Sequence, residues 1–292
     1  MTKNTINKNC PICENVDVAL VTKGLRDAED IRVLKCSECS AVFLSTFEHI
    51  VPEFYSNNGM FQAVVNYTKW LKGSEVDDKR RFKFLKSSLK NKTLLDIGCG
   101  AGGFLSLAKK SAKEAYGVEI NESVHSFLCD NGINVCKDIS EFQDEKFDVI
   151  TMFHVLEHIK DPVDFLKNVA LKLKKDGKII IEVPNDDDAL LSLYNCEAFK
   201  KHTYWSCHLY SYNKKVLKRI MHRTGLKIKY IKYFQRYGLF NHLNWIFSQK
   251  PNGHSSSHFM NNRLNNKLYG YFLGFLGKTD TIILSVNKKA RI

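Results

Sequence analysis

From Lys92 onward, short apolar runs alternate with stretches whose apolar positions recur every three or four residues. The runs read as buried strands and the recurrences as helices packed on them. On this pattern Thr93–Ile97 is a strand, followed by a Gly-rich turn and a helix over Gly103–Ser111. Ala115–Ile120 is the second strand, Val124–Asn131 a helix, and Ile133–Cys136 the third strand. Phe147–Met152 is the fourth strand, Pro162–Leu173 a helix and Gly177–Val183 the fifth strand. Lys214–Thr224 then reads as a helix, with strands over Leu226–Phe234 and Thr281–Asn287. Repeated strand–helix units imply an α/β fold, a parallel sheet covered by helices on both faces.

The flanking segments follow different patterns. Residues 46–91 read as a mainly helical, polar linker or lid carrying Phe54, Tyr55, Phe61, Tyr67 and Trp70, with a basic amphipathic helix over Asp77–Leu89. An insertion at 235–278, rich in Asn, His and aromatics, separates the last two strands; loops that long inside a compact domain are usually functional or disordered. The expected organisation is a small N-terminal module over 1–45, the linker over 46–91 and the main domain over 92–292.

The N-terminal module is defined by its cysteines. Cys10-Pro11-Ile12-Cys13 and Cys36-Ser37-Glu38-Cys39 are separated by 22 residues. Each pair can sit on a tight turn and aim two thiolates at one ion, which gives a closed tetrahedral site and makes this a four-cysteine zinc ribbon with structural zinc. A redox Cys-x-x-Cys is the competing reading, and two such pairs so close together argue against it. With nine cysteines, an odd number, and the rest scattered, the chain fits a reducing, cytoplasmic setting better than a disulfide framework.

Composition excludes some classes. An apolar fraction of 44% and a charged fraction of 26% are those of a soluble globular protein, not of a disordered or fibrous one. The first ten residues are polar, so no secretory leader is expected. The stretch Leu268–Leu276 is about half a bilayer span and is interrupted by Gly270 and Gly274, so no membrane-spanning segment is expected either. The net charge of +13 is uneven: residues 198–292 carry +17, with Asp280 as their single acid, and residues 1–197 carry −4. A field of one sign favours an anionic partner, and peripheral contact with a membrane surface fits it too.

The first strand–helix turn carries the chemistry. Leu94-Leu95-Asp96-Ile97-Gly98-Cys99-Gly100-Ala101-Gly102-Gly103 excludes side chains where a ligand must come close to backbone N–H groups. Gly98, Gly100 and Gly103 also spell the dinucleotide fingerprint, and Glu119 at the end of the second strand suits the ribose of either ligand. Asp96 separates the two: a carboxylate there repels a pyrophosphate and attracts a sulfonium and an ammonium.

Here the sequence resembles the class I S-adenosylmethionine-dependent methyltransferases. Leu94–Gly102 looks like their first motif, Phe147–His158 followed by Asp161-Pro162 like their fourth-strand motif, and Leu173–Lys178 like the turn into strand five. The resemblance covers residues 92–190 and implies a Rossmann-like seven-stranded sheet with an antiparallel last strand. It implies S-adenosylmethionine as cofactor. Gly98, Gly100 and Gly102 would let the methionine approach, flanked by Asp96 and Cys99. Glu119 and Ile120 would lie at the ribose, Asp138 at the adenine, and Phe153 and His154 along the pocket.

The zinc ribbon joined to this core also resembles methyltransferases of bacterial sugar and polysaccharide gene clusters, sugar C-methyltransferases among them. Those carry a Tyr-His-Glu-His-like run after strand five, where this chain reads Trp205-Ser206-Cys207-His208 and keeps the last His alone. That shifts the expectation to O-methylation of a sugar hydroxyl on a nucleotide-linked or glycan precursor, a small and anionic acceptor. A hydroxyl needs a base, and the candidates are His208, His154, His158 and His202. The expected substrate-binding residues are Tyr204, Tyr210, Arg236, Tyr237, His242 and Trp245, with Arg236 suited to a phosphate or carboxylate and Tyr237 and Trp245 to stacking. The alternatives are an RNA methyltransferase and a sugar C-methyltransferase. Because the ribbon half is not basic, nucleic acid is not the expected partner.

Overall fold

The computed structural model describes residues 9–51, 53–56, 66–251 and 262–288; Phe61 and the 252–261 part of the expected insertion lie outside them. Near the N-terminus, β1 (Val18–Thr22), β2 (Val33–Cys36) and β3 (Val42–Leu44) form an antiparallel meander. A short helix α1 (Glu53–Ser56) and a long helix α2 (Tyr67–Leu89) lead to the main sheet. Its first half runs β4 (Thr93–Ile97), α3 (Gly103–Ala108), β5 (Glu114–Val118), α4 (His125–Asp130), β6 (Asn134–Cys136), β7 (Phe147–Phe153), α5 (Pro162–Lys172) and β8 (Leu173–Pro184). The chain continues through α6 (Ala189–Ser192), α7 (Glu197–Thr203), β9 (Tyr210–Ser211), α8 (Lys214–Thr224), β10 (Leu226–Phe234), α9 (Leu239–Ser248), α10 (Arg263–Leu276) and β11 (Thr281–Lys288).

The large sheet has seven strands in the order β10-β11-β8-β7-β4-β5-β6. β11 is antiparallel to both neighbours and the remaining pairs are parallel, as the resemblance implied. β4, α8 and β10 begin and end where the sequence pattern places them. β8 starts earlier, at Leu173, which is buried and pairs with Phe147 across a register shift. Gly177 allows this, because a Cβ there would sit 2.7 Å from the Leu173 side chain.

Two departures have physical causes. α2 begins at Tyr67 rather than near Asp77, capped by the Asn66 side chain on Lys69 N–H. Its buried face includes Asp78 and Arg81 besides Leu85 and Leu89, so the helix does not show a purely apolar stripe. The insertion forms the helices α9 and α10 among the described residues. No described helix is long and apolar enough to cross a membrane.

The cysteine-bearing meander is built into the main domain. β3 pairs with β9, a strand that arises after β8, through Phe43 opposite Tyr210 and Val42 opposite Ser211. Asp27 accepts from Ser206 N–H and hydroxyl at 3.0 and 2.6 Å, and the Arg223 guanidinium donates to the Ile12 carbonyl. Residues of the meander and of the large sheet form one continuous apolar cluster, from Ile12, Val33 and Phe43 to Ile150 and Leu284. Tyr204 and Tyr210, expected at the substrate, lie in this seam instead. Both are buried; Tyr204 donates to Asp186 and Tyr210 to the Lys160 carbonyl, and the Tyr210 ring stacks on Tyr212. Each large side chain buried in the seam stabilises it by roughly 1.5–3 kcal/mol.

Candidate active site

The Gly-rich turn leaves β4 at the carboxyl edge of the sheet, where open α/β sheets bind ligands. Gly98, Gly100 and Gly102 all have left-handed φ, of 70°, 54° and 76°. The turn is also closely covered: a Cβ on Gly100 would lie 2.7 Å from the Trp70 ring of α2, and one on Gly98 2.5 Å from Val155. Asp96 is buried and accepts from the Thr151 hydroxyl at 2.6 Å; burial pushes its carboxyl up to about 7.

Glu119, just after β5, is held against the turn by Gly100 N–H at 2.9 Å and Asn121 N–H at 3.0 Å. Ile120 beside it is an exposed apolar side chain. Cys99 is buried beneath Gly117, and Phe153 packs edge-on against Phe104. Asp138 caps a 3-10 turn by accepting from Ser140 N–H at 2.7 Å, and Ser140 holds its carboxyl below the usual range. A tight bare turn, a buried acid beneath it, a second acid at the next strand end and an apolar side chain beside that acid fit an amino acid joined to a nucleoside and carrying positive charge.

A network that the sequence did not disclose ties α2 to β8. Glu182, nearly inaccessible on β8, accepts from Arg80 at 2.8 and 3.0 Å and from Arg81 at 2.7 and 3.1 Å. Burial opposes its charge, but His154 and the two arginines overcome it and hold the carboxyl far below its ordinary value. His154 follows β7 directly with φ 57°, a left-handed conformation that non-glycine residues rarely adopt. Its ring lies 3.3 Å from Glu157 and 3.4 Å from Glu182. Burial opposes the imidazolium, yet the bonds to these two carboxylates prevail and raise its pKa.

Beyond His154 opens a cavity of about 600 Å³, lined by His158, His202 and His208 and by parts of α7 and α9. The His158 Nδ1–H donates to the Cys207 carbonyl at 2.7 Å, which leaves Nε2 as the basic nitrogen of the neutral ring. His208 packs on His158 with centroids 5.0 Å apart; burial pushes its pKa down to about 4. Beneath them lies Glu157, a buried carboxylate whose Oε2 has no hydrogen-bond partner among the described residues. Burial opposes its charge, but the neighbouring histidines hold its pKa down at about 2. Another cavity, of about 590 Å³, lies by Lys92, Asp148 and Lys174 at the opposite edge of the sheet, away from the Gly-rich turn.

Arg236, Tyr237 and Trp245 line the His-rich cavity. Arg236 is, however, paired with Asp77 at 2.6 Å, so much of its charge is matched within the protein. His242 is also at the cavity, but it is buried and both its ring nitrogens are engaged, by Tyr269 at 2.8 Å and Gln235 at 3.1 Å. Its ring has no nitrogen left for a ligand. A cation not foreseen from sequence takes the open place: Arg26, from the cysteine-bearing module, stacks on Trp205 at 4.1 Å and forms no ion pair among the described residues.

The four cysteines converge. The sulfurs of Cys10, Cys13, Cys36 and Cys39 all lie within 4.8 Å of one another, with Cys10–Cys39 and Cys13–Cys36 at 3.5 Å. Four thiolates around a zinc ion at ~2.3 Å have sulfurs ~3.8 Å apart, so the cluster fits that ion.

A family model described as "Methyltransferase domain" matches residues 67–231. The ubiquinone biosynthesis O-methyltransferase of Hydrogenovibrio crunogenus is 28% identical over 168 residues, which cover 53% of this chain and 66% of that protein. The protein of the same name from Coxiella burnetii is 33% identical over 116 residues, covering 36% of this chain and 50% of that protein. The chain thus spans between half and just under two thirds of the length of these relatives. An S-adenosylmethionine-dependent methyltransferase structure from Archaeoglobus fulgidus aligns with a TM-score of 0.54 at 24% identity, over 76% of this chain and 98% of that chain. At that identity the likeness is one of fold.

Proposed function

Because the chain belongs to the methyltransferase-domain family, we propose that it uses S-adenosylmethionine to methylate a hydroxyl of a small anionic sugar acceptor, nucleotide-linked or glycan-linked. The observation that carries this reading is His158, whose ring is fixed with one nitrogen on a backbone carbonyl and the other available as a base in the cavity that His154 also lines. The two curated relatives named O-methyltransferases support transfer to oxygen. Their acceptor does not carry over. The family model begins at 67 and ends at 231, so Arg26, Arg236, Tyr237 and Trp245 of the cavity wall lie outside it.

In this reading Gly98, Gly100 and Gly102 admit the donor's methionine, Asp96 faces its ammonium, Glu119 and Ile120 lie at the ribose, and Asp138 borders the adenine. When bound, the donor supplies an electrophilic methyl on a sulfonium and departs as a neutral thioether. His158 Nε2 takes the proton that the acceptor hydroxyl loses as its oxygen bonds the methyl, and the Glu157 anion stabilises the resulting imidazolium. His154 is the weaker candidate for the base, because both its ring nitrogens face carboxylates that favour its charged form. It holds the end of β7 in place instead. Tyr237, which is exposed, offers a face for a sugar ring, Trp245 backs the cavity wall against Phe199 and His202, and Arg26 holds the acceptor's phosphate or carboxylate.

The test is transfer of labelled methyl to a panel of acidic nucleotide sugars, neutral sugars and total RNA. Label should enter the acidic sugars. Label in RNA that falls as salt rises would overturn the reading.

Asp96 makes donor binding depend on pH. Its carboxyl, pushed up by burial to about 7, must lose its proton before it can pair with an ammonium. Donor affinity, measured by calorimetry, should therefore strengthen from about pH 5.5 to about pH 7.5, by up to tenfold per unit below the pKa, and then level off. Asp96→Asn should weaken binding and flatten this dependence.

The four cysteines, in the same reading, hold one structural zinc. Elemental analysis should find about one zinc per chain, and chelation should unfold the module together with its seam on β9, because metal binding and folding are coupled in such sites. A fully folded protein without metal would contradict this.

A further inference from the structure

α10 is built inside out. Its small residues face the protein: Gly270 lies against Gln235, and Gly274 and Gly277 against Tyr233. Of its large side chains only Leu273 is buried. Leu264, Leu268, Tyr271, Phe272 and Phe275 are all exposed, Phe275 to 90%. At 100° per residue these five fall within about 100° of arc, a continuous apolar stripe on the outer side of the helix. Phe247 of the neighbouring α9 is exposed as well. Stripes of this kind on a protein surface mark a docking site.

The surrounding charge selects the occupant. Exposed Arg263 and Lys267 lie on the same helix beside the stripe, and the last third of the chain carries +17. Its single acid, Asp280, is turned to the backbone N–H groups of Arg236 and Tyr237. A second copy would bring two strongly positive surfaces together. An anionic lipid surface matches both features, since leucines and aromatics enter the acyl boundary while lysine and arginine meet the headgroups. The helix has 14 residues, too few to span a bilayer, so it would lie in the interface plane.

We propose that α10 docks this protein on anionic membranes. The neighbouring α9 walls the His-rich cavity through Asn241 and Trp245, so the docking face lies one helix away from that cavity. The proposal rests on the exposed face of α10 and not on the identity of the methyl acceptor.

The experiment is co-sedimentation of the full chain with vesicles of phosphatidylcholine alone or mixed with phosphatidylglycerol. No methyl donor or acceptor is added, so the result is independent of the acceptor reading. The expected result is at least about tenfold more protein pelleted with the mixed vesicles, declining as salt rises. The double variant Leu268→Glu, Phe275→Glu should lose that binding at least about tenfold and keep its thermal midpoint and donor affinity, because both side chains are exposed. Wild-type protein left in the supernatant with mixed vesicles would overturn the proposal, as would binding that the double variant retains. A lipid-free dimer in light scattering that the double variant abolishes would also overturn it and assign the face to a second copy.

Discussion

Replacing Glu182 by glutamine is expected to destabilise the protein by about 3–5 kcal/mol, the range for removing one partner of a buried ion pair. Glu182 is nearly inaccessible, and Arg80, Arg81 and His154 all converge on it. A glutamine of the same size leaves Arg80, Arg81 and His154 facing an uncharged amide, with only Asp77, Asp78 and Glu157 to balance them. Denaturant melts of the wild type and Glu182→Gln at neutral pH measure the difference; a loss below about 1 kcal/mol would mean that the arginines find other partners. The effect should extend to donor binding, since Arg80 and Arg81 anchor the helix whose Trp70 covers Gly100.

The pH dependence of stability follows from the same groups. Glu182 and Glu157 are held below the ordinary carboxylate value of 4.5, so their contribution is present above that value and is lost as pH falls, for Glu157 through about 2. His154 is raised above 6.5, so its contribution is present below 6.5 and is lost as pH rises through its folded value. In Glu182→Gln the acid-side loss should shrink, because one of the two carboxylates has gone.

His158→Ala should lower turnover by about 10²–10⁴-fold, the usual scale for a general base, and leave donor affinity within about threefold. A backbone carbonyl can only accept, so the 2.7 Å bond to Cys207 fixes the proton on Nδ1 and leaves Nε2 free to act as the base. His208→Ala should cost less, because burial makes His208 a weak base with a pKa of about 4. The pH profile separates the two, since an acid limb near pH 4 would assign the base to His208. Unchanged turnover in His158→Ala would remove it from the mechanism.

Much of this architecture was legible because its determinants are local. The Gly-rich turn, the paired cysteines and the apolar runs of β4 and β10 each lie within a dozen residues. The rest depends on partners far apart in the chain. Arg80 and Glu182 are 102 positions apart and Asp27 and Ser206 are 179 apart, and no periodicity links them. Tyr204 and Tyr210 looked like substrate residues because they sit among histidines; β9 pairs with the cysteine-bearing meander and buries them. Arg26 reaches the cavity through that same seam. One sign was nonetheless present: Glu182 interrupts the apolar run Ile179–Val183, and a charge at the centre of a buried strand requires a partner.

The central claim is that the donor turn and the His-rich cavity form one reaction site. The most direct measurement is a structure of the protein bound to S-adenosylhomocysteine. The account predicts its amino group near Asp96, its ribose on Glu119 and its sulfur opening into the cavity beside His154 and His158, close enough for an acceptor oxygen to reach the methyl position at about 3–3.5 Å. A sulfur walled off from that cavity, or a ligand bound away from the Gly98–Gly102 turn, would contradict it.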